Sequence, residues 1–441
     1  MKQPWYHRFR QTLAREARWL TPGLGVKRWL LVILLGTTLV GLGFGVLLVD
    51  IYRSALDTWW LPIVAVLSLS FLERPLRALI FGGVGLGLIL LGTWGLNRTL
   101  LRPFVRPGRP ILDAVSAYRR RDRGPRVVVI GGGTGLSALL RGLKAYSNNI
   151  TAIVTVADDG GSSGELRRSM GVLPPGDIRN CLAALSDDEE LLTQLFQYRF
   201  GSAAGVGGHS LGNLLITALA EITGSFEQGV AESGRVLAIR GQVLPSTLHD
   251  VRLVADVVDE SEQSVLVKGE SEIPKVRGRI RRVWLEPNNP LAYPPALQAI
   301  LAAELIVIGP GSLFTSILPN LLVHDLTAAI LSSRAVKLYV CNVANEPGET
   351  DGFRCEDYVR VLQQHVGENL FDLVLCNNQF SARLPDGVEW VKFDPQMSGI
   401  YVADLADEQQ GWRHDSAKLA RTIMDLFYER TGPLNRQSSE E

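Results

Sequence analysis

Four of the five residues Gly131, Gly132, Gly133, Thr134 and Gly135 are glycine, and they stand between a β-branched run at 126–130 and a helix-forming stretch at 136–146. Glycine lets a backbone turn sharply and approach a ligand, and a helix N-terminus offers unpaired N–H groups to phosphate. No Gly-Lys-Ser/Thr follows, so the loop is not a Walker A. Leu136 stands where a dinucleotide fingerprint needs its third glycine. The chemistry expected is phosphate binding, with no dinucleotide implied. A second string, ADDGGSSGELR (157–167), follows the apolar run at 150–156. Asp158 and Asp159 then fall at the carboxyl end of a strand, where ligands of parallel sheets bind. One of them could accept a ribose hydroxyl, although the 27 residues from Gly131 exceed the usual spacing of about 20. The pair could instead hold Mg²⁺ through water, or form an Asx turn before the glycines. One of the two is expected to serve the ligand, and the residue types do not decide which.

Three further strings carry polar groups next to helices. PPGDIRN (174–180) offers Asp177 as an N-cap for a helix over 178–185, a structural role that could account for it, while Arg179 and Asn180 in the first turn could face a ligand phosphate or base. GHSLGN (208–213) places His209 and Asn213 at a helix start among small residues, which suits contact with phosphate or sugar. No Ser/His/acid order and no metal-ligand spacing accompanies them. GPGSLFTS (309–316) follows the strand-like ELIVI and forms a second strand–glycine loop–helix unit with Gly311 and Ser312. Two such units in one parallel sheet place both loops on the same edge. NEPGETDG (345–352) would lie on that edge too, as a flexible loop or as a cover for the cleft.

The elements that must position these loops are short apolar runs alternating with helical patterns. Strands are expected at 126–130, 150–156, 305–308, 337–340 and 373–375, and helices at 136–146, 178–185, 190–196, 211–222, 294–301 and 418–428. That alternation predicts an α/β fold with a mainly parallel sheet covered on both faces. No internal repeat is visible. The four cysteines form no C-x-x-C pair and read as free thiols, with Cys341 and Cys376 as core residues.

Charge divides the chain. Its 441 residues carry 45 basic and 45 acidic side chains, and 46% are hydrophobic. This composition excludes a disordered, collagen-like or disulfide-dense chain, and the balance argues against a nucleic-acid partner. Residues 1–28 hold seven basic residues against one acid, and 98–123 hold eight against two. From 124 onward there are 27 basic and 39 acidic residues, a net of −12. Between the two basic blocks, 29–49 and 78–96 are uncharged. A run of about 20 apolar residues crosses a bilayer core. The reading is a basic arm (1–28), a transmembrane region (29–97) with two spans, a basic linker (98–123), a body (124–430) and a flexible tail (431–441). Both basic blocks stay on the cytoplasmic side, which makes the chain a multi-pass cell-membrane protein with its body in the cytoplasm. The acidic body is expected to be soluble, as a monomer or a small homo-oligomer.

The strings GGGTGLS (131–137), VADDGGSSGELR (156–167), PPGDIRN (174–180), GHSLGN (208–213), LPST (244–247), IGPGSLFTS (308–316) and ANEPGETDG (344–352) occur in the order that marks the gluconeogenesis factor family, and the body resembles the YvcK branch of the CofD-like superfamily. The resemblance covers most of 124–430 and leaves out 1–123. It implies a Rossmann-like CofD fold that binds nucleotide sugars, notably UDP-N-acetylglucosamine. It also implies a role in cell shape and cell-wall precursor control during gluconeogenic growth. By position, Gly132, Gly133 and Thr134 would meet the diphosphate, and Asp158, Asn213 and Ser312 would line the cleft. The expected nucleotide-sugar site is therefore Gly131, Gly132, Gly133, Thr134, Gly135, Asp158, Asp159, Arg179, His209, Asn213, Gly311 and Ser312. The related CofD branch is a 2-phospho-L-lactate transferase. Two readings stand: a membrane-anchored nucleotide-sugar-binding regulator, or a transferase that uses a nucleoside diphosphate carrier.

Overall fold

The computed structural model describes residues 124–432 except 187–188, 202–204 and 260, together with residue 122 and isolated positions between 37 and 90. The expected basic arm, most of both expected spans, the basic linker and the tail from 433 lie outside the described residues. Among the described residues, no single helix is long and apolar enough to cross a membrane. The chain divides into two compact units, Met1–Arg119 and Arg120–Glu441. The second unit carries everything that follows.

Its frame is a seven-stranded sheet. β1 (Val127–Gly131), β2 (Ile150–Val154) and β3 (Gln242–Pro245) form one half, and β7 (Leu305–Ile308), β8 (Val336–Val340), β9 (Leu373–Asn377) and β10 (Ile400–Ala403) form the other. The order is β10-β9-β8-β7-β1-β2-β3, and every pairing is parallel. β1, β2, β7 and β9 are buried along their whole length. Helices cover both faces, so these strands are continuous apolar runs rather than alternating ones. Pro245 sits in the edge strand β3, where a missing N–H leaves no central ladder broken. The expected parallel α/β sheet is therefore present, with the ends of β1, β2, β7, β8 and β9 within two residues of expectation, whereas the edge strands β3 and β10 were not foreseen.

The chain winds from β1 outward to β3, returns to β7 beside β1, and then winds the other way. Strand order reverses between β1 and β7, and a crevice opens at the carboxyl ends of such a pair. Helices α1 (Gly133–Leu143), α2 (Gly161–Met170) and α3 (Gly176–Leu185) follow the loops on the β1–β2 side. Helices α4 (Glu189–Gln197), α5 (Leu211–Thr223) and α6 (Phe226–Val236) complete that layer. On α1, Leu136, Leu139, Leu140 and Leu143 are buried at helical spacing. The expected start at 136 is too late: the glycine loop is itself the first turn. α2 was not foreseen at all. Its GSSGELRRSM is polar, and it folds because its small residues Ser162, Ser163 and Gly164 pack inward.

A second sheet was also missed. β4 (Arg252–Asp259), β5 (Ser264–Lys268) and β6 (Gly278–Glu286) form an antiparallel sheet in the order β5-β4-β6. It brings the turn after β5 against Asp158 and Asp159. Beyond it come α7 (Pro294–Ala302), the π-type turn Leu313–Ile317, α8 (Leu318–Leu321), α9 (His324–Ser332), α10 (Cys355–Val366) and α11 (Ser416–Thr431). α11 lies on α1 so closely that a β-carbon on Gly142 would stand 1.9 Å from the Ser416 carbonyl oxygen.

Candidate functional site

The two glycine loops meet in the crevice between β1 and β7. Gly309 N donates to the Ile130 carbonyl at 2.8 Å, joining the two strand ends. A β-carbon on Gly135 would lie 2.8 Å from the Pro310 carbonyl oxygen, and one on Gly311 would lie 3.3 Å from the Gly132 oxygen. Only glycine lets the loops approach this closely. Gly133 has φ +65°, a conformation that side chains disfavour. Gly132 precedes α1 with no side chain of its own to cap it, and the Asp177 carboxyl accepts from the Gly133 backbone instead.

These loops form one wall of a cleft of about 580 Å³. Gly132, Gly133, Thr134, Gly135, Gly311 and Ser312 line it, as the sequence predicts. Residues that were not foreseen complete the lining: Asn342 after β8, and Trp412, Arg413 and His414 before α11. The 345–352 segment does border the cleft, through Asn345, Glu346 and Pro347. Asn342 Oδ1 accepts from Gly311 N at 3.2 Å, and Thr315 Oγ1 donates to Glu349 Oε1 at 3.0 Å. Burial pushes the carboxyls of Glu346 and Glu349 upward, with Ser312 opposing the shift at Glu346. His414 is held down to about 4 by burial, so its imidazole is neutral at the cleft wall.

A second hollow of about 290 Å³ adjoins the first, and Asn180 lines both. Asp158, Arg179 and Asn213 belong to this hollow, together with Asp177 and Arg199. Asn213 Nδ2 donates to Ser162 Oγ at 2.9 Å, while its Oδ1 is buried without a partner. Arg179 donates to Ser210 Oγ and, at 2.9 Å, to Asn180 Oδ1, and its buried Nε has no acceptor. Buried polar groups thus surround the hollow.

Acids collect on one side of it. Asp177 does not cap α3: the helix begins a residue earlier, at Gly176, with Pro175 before it and no side-chain cap. Asp177 instead accepts from the Gly133 backbone, and a β-carbon on Gly132 would lie 2.5 Å from Asp177 Oδ2. Burial and the neighbouring Asp158 raise its carboxyl to about 6. Glu270, from the turn after β5, hydrogen-bonds Asp158 and is pushed well above the carboxylate range by burial and by Asp158, Asp177 and Asp159. No local motif marks Glu270. The fold brings it from the second sheet.

Three expected ligand contacts line neither hollow. The Gly131 carbonyl accepts from Asn320 Nδ2 at 2.9 Å and from Thr155 N at 3.2 Å, so this residue fastens the strand end. Asp159 Oδ1 accepts from Ser271 N at 2.9 Å and anchors the second sheet. Asp158 Oδ1 accepts from Gly160 N at 2.9 Å. The two neighbouring carboxylates thus serve different backbone partners. His209 is buried, with Nδ1 3.0 Å from Ser162 Oγ, and supports the hollow from behind. Of the adjacent acids, Asp158 is the one that faces a hollow.

The family described as 2-phospho-L-lactate transferase CofD matches residues 127–409. A putative gluconeogenesis factor of Nostoc sp. is 47% identical, with 93% of this chain and 92% of that protein aligned. The gluconeogenesis factor of Bacillus subtilis is 44% identical over 69% of this chain and 99% of its own length. This chain belongs to the gluconeogenesis factor family. A crystal structure of a Bacillus halodurans protein, 43% identical, covers 68% of this chain and 99% of that one with a TM-score of 0.64, which supports the α/β CofD-like fold. Because 93% of the chain aligns with the Nostoc protein, the likeness reaches into the first 123 residues, further than the sequence motifs of this gluconeogenesis factor family member extend.

Proposed function

We propose that the cleft binds a nucleotide sugar of the UDP-N-acetylglucosamine type, and that the protein acts as a binding regulator of cell-wall precursor metabolism and cell shape under gluconeogenic growth. The observation that carries this reading is the contact of two glycine loops at the strand-order reversal, where α1 begins. The diphosphate would lie over Gly132–Gly135, where backbone N–H groups and the helix dipole favour negative charge. Calorimetry with UDP-N-acetylglucosamine tests it. Gly133→Val puts a branched side chain at a positive φ on the cleft floor and should abolish measurable binding. Unchanged affinity in that variant would remove the loop from the site.

A second reading, transfer of a phosphoryl-linked group from a nucleoside diphosphate carrier, is favoured by the acids Asp158, Asp177 and Glu270 beside Arg179. A carboxyl raised to about 6 could exchange a proton near neutral pH. Steady release of UDP or UMP from the UDP-sugar by the wild type, abolished in Asp158→Asn, would select this reading.

Residues 29–49 and 78–96 are proposed to hold the chain in the cell membrane with both termini inside, on the strength of the basic blocks that flank them. Reporter fusions at the two termini should both register the cytoplasm, and an external C-terminus would refute this topology.

A further inference from the structure

Three thiols converge behind the cleft wall. Cys341 follows β8, Cys355 opens α10 and Cys376 lies in β9. Their sulfurs all lie within 4.8 Å of one another, and none of the three residues is more than 2% exposed. The fourth cysteine, Cys181, is in α3 on the other half of the sheet. Cys355 Sγ and Cys376 Sγ are 2.7 Å apart. Unbonded heavy atoms pack at about 3.5–4.0 Å, so this pair is already compressed. A disulfide needs the two sulfurs at about 2.05 Å, a further approach of roughly 0.6 Å. A metal ion with sulfur ligands at about 2.3 Å would need them to spread to roughly 3.7 Å.

Charge points the same way. Three thiolates around one ion would leave net negative charge in surroundings where burial drives the Cys341 thiol upward. A disulfide is neutral. Within the cluster, the Cys376 sulfur accepts hydrogen bonds from both Cys341 and Cys355, which lowers its pKa and makes it the sulfur that carries thiolate character. Asn342 and Val343, directly after Cys341, line the large cleft, so a small oxidant in the cleft is one residue away from the cluster.

We propose that Cys355 and Cys376 are a modification site, closing to a reversible disulfide when the protein meets a hydroperoxide. The Cys376 thiolate attacks one peroxide oxygen. An S–O bond forms, the O–O bond breaks, and the leaving hydroxide takes up the proton that the Cys376 thiol released on ionising and departs as water. The Cys355 sulfur then attacks the sulfenic sulfur of Cys376. The S–S bond forms, the S–O bond breaks, and the departing hydroxide takes the Cys355 proton and leaves as water. In sum, two thiols and one hydrogen peroxide give one disulfide and two waters. The bond ties β9 to the first residue of α10, and so to the end of the segment whose Asn345 and Glu346 border the cleft. This inference does not depend on which ligand the cleft takes.

The test uses the full-length chain, treated with hydrogen peroxide in its native state, then quenched, denatured and thiol-counted before and after dithiothreitol. The wild type should fall from four free thiols to two, with the Cys355 and Cys376 peptides linked and both thiols restored by the reductant. Cys181→Ser should still form the link. Cys376→Ser should not form it, and if that variant fails to fold, the peptide map of Cys181→Ser decides alone. Four intact thiols, a link through Cys341, sulfinic acid on Cys376 without a link, or a metal ion held by the three sulfurs would each overturn the proposal.

Discussion

The two hollows share Asn180 and little else. The larger has a floor of backbone, two glycine loops at a helix start, with Thr134, Ser312 and Asn342 beside them and the charged Arg141, Glu346, Asp407 and Arg413 elsewhere in its lining. The smaller offers side chains with charge: Asp158, Asp177, Arg179 and Arg199. A surface made of backbone tolerates the loss of a side chain, but not the addition of one. A surface made of charged side chains tolerates bulk better than loss, and it responds to pH. The site therefore joins a part specified by absent side chains to a part specified by present ones.

The largest effect should come from bulk in the first part. In Gly135→Val, the new side chain begins 2.8 Å from the Pro310 oxygen and must push the glycine loops apart. Overpacking of this kind costs about 1–3 kcal/mol, and each 1.4 kcal/mol is about tenfold in affinity. UDP-sugar binding should weaken about ten- to hundredfold by calorimetry. Normal affinity would break the comparison, because the loops would then not shape the floor.

The second part should show itself through pH. The Asp177 carboxyl is raised in the folded protein to about 6, from 3.8. The native state therefore holds this proton more tightly than the unfolded chain does. Stability falls as pH rises from about 4 to about 6, and the whole penalty is present at pH 7.5. Asp177→Asn removes it and should stabilise the fold by about 1–3 kcal/mol at pH 7.5, with the gain shrinking toward pH 4. Denaturant melts at both pH values check this. A gain of equal size at both would show that the carboxyl's charge is not the cause.

The smallest effect sharpens the boundary within the glycine loop. Gly131→Ala meets nothing nearer than Leu136 Cδ1, at 3.6 Å. Binding should change by less than about threefold, near the size of an ordinary surface substitution. A loss as large as that of Gly135→Val would place Gly131 on the ligand side of the strand end.

How far the sequence could be read follows the same division. Strand–glycine–helix units are local, so the strands, the parallel sheet and the loop convergence could all be inferred from composition and spacing. Residues that reach the site from elsewhere in the fold left no such mark. Glu270 comes from a turn in a separate antiparallel sheet, and Trp412 and His414 come from the approach to the last helix. Asp177 misled because a carboxylate before an apolar helix usually caps it, whereas here Gly176 begins the helix and turns Asp177 toward Gly133. His209 misled because a histidine at a helix start looks exposed, and only packing reveals that Ser162 stands in front of it.

The insertion of β7 beside β1 also sets a timetable. The cleft is lined from Gly132 to Ser416, so its lining is begun and finished at opposite ends of the body's synthesis. At about 5–20 residues per second, the glycine loop waits roughly 15–60 s for the rest of the lining to be translated. β1 keeps an open edge until β7 is translated, and until Ser416 is made any ligand meets a cleft without its full lining.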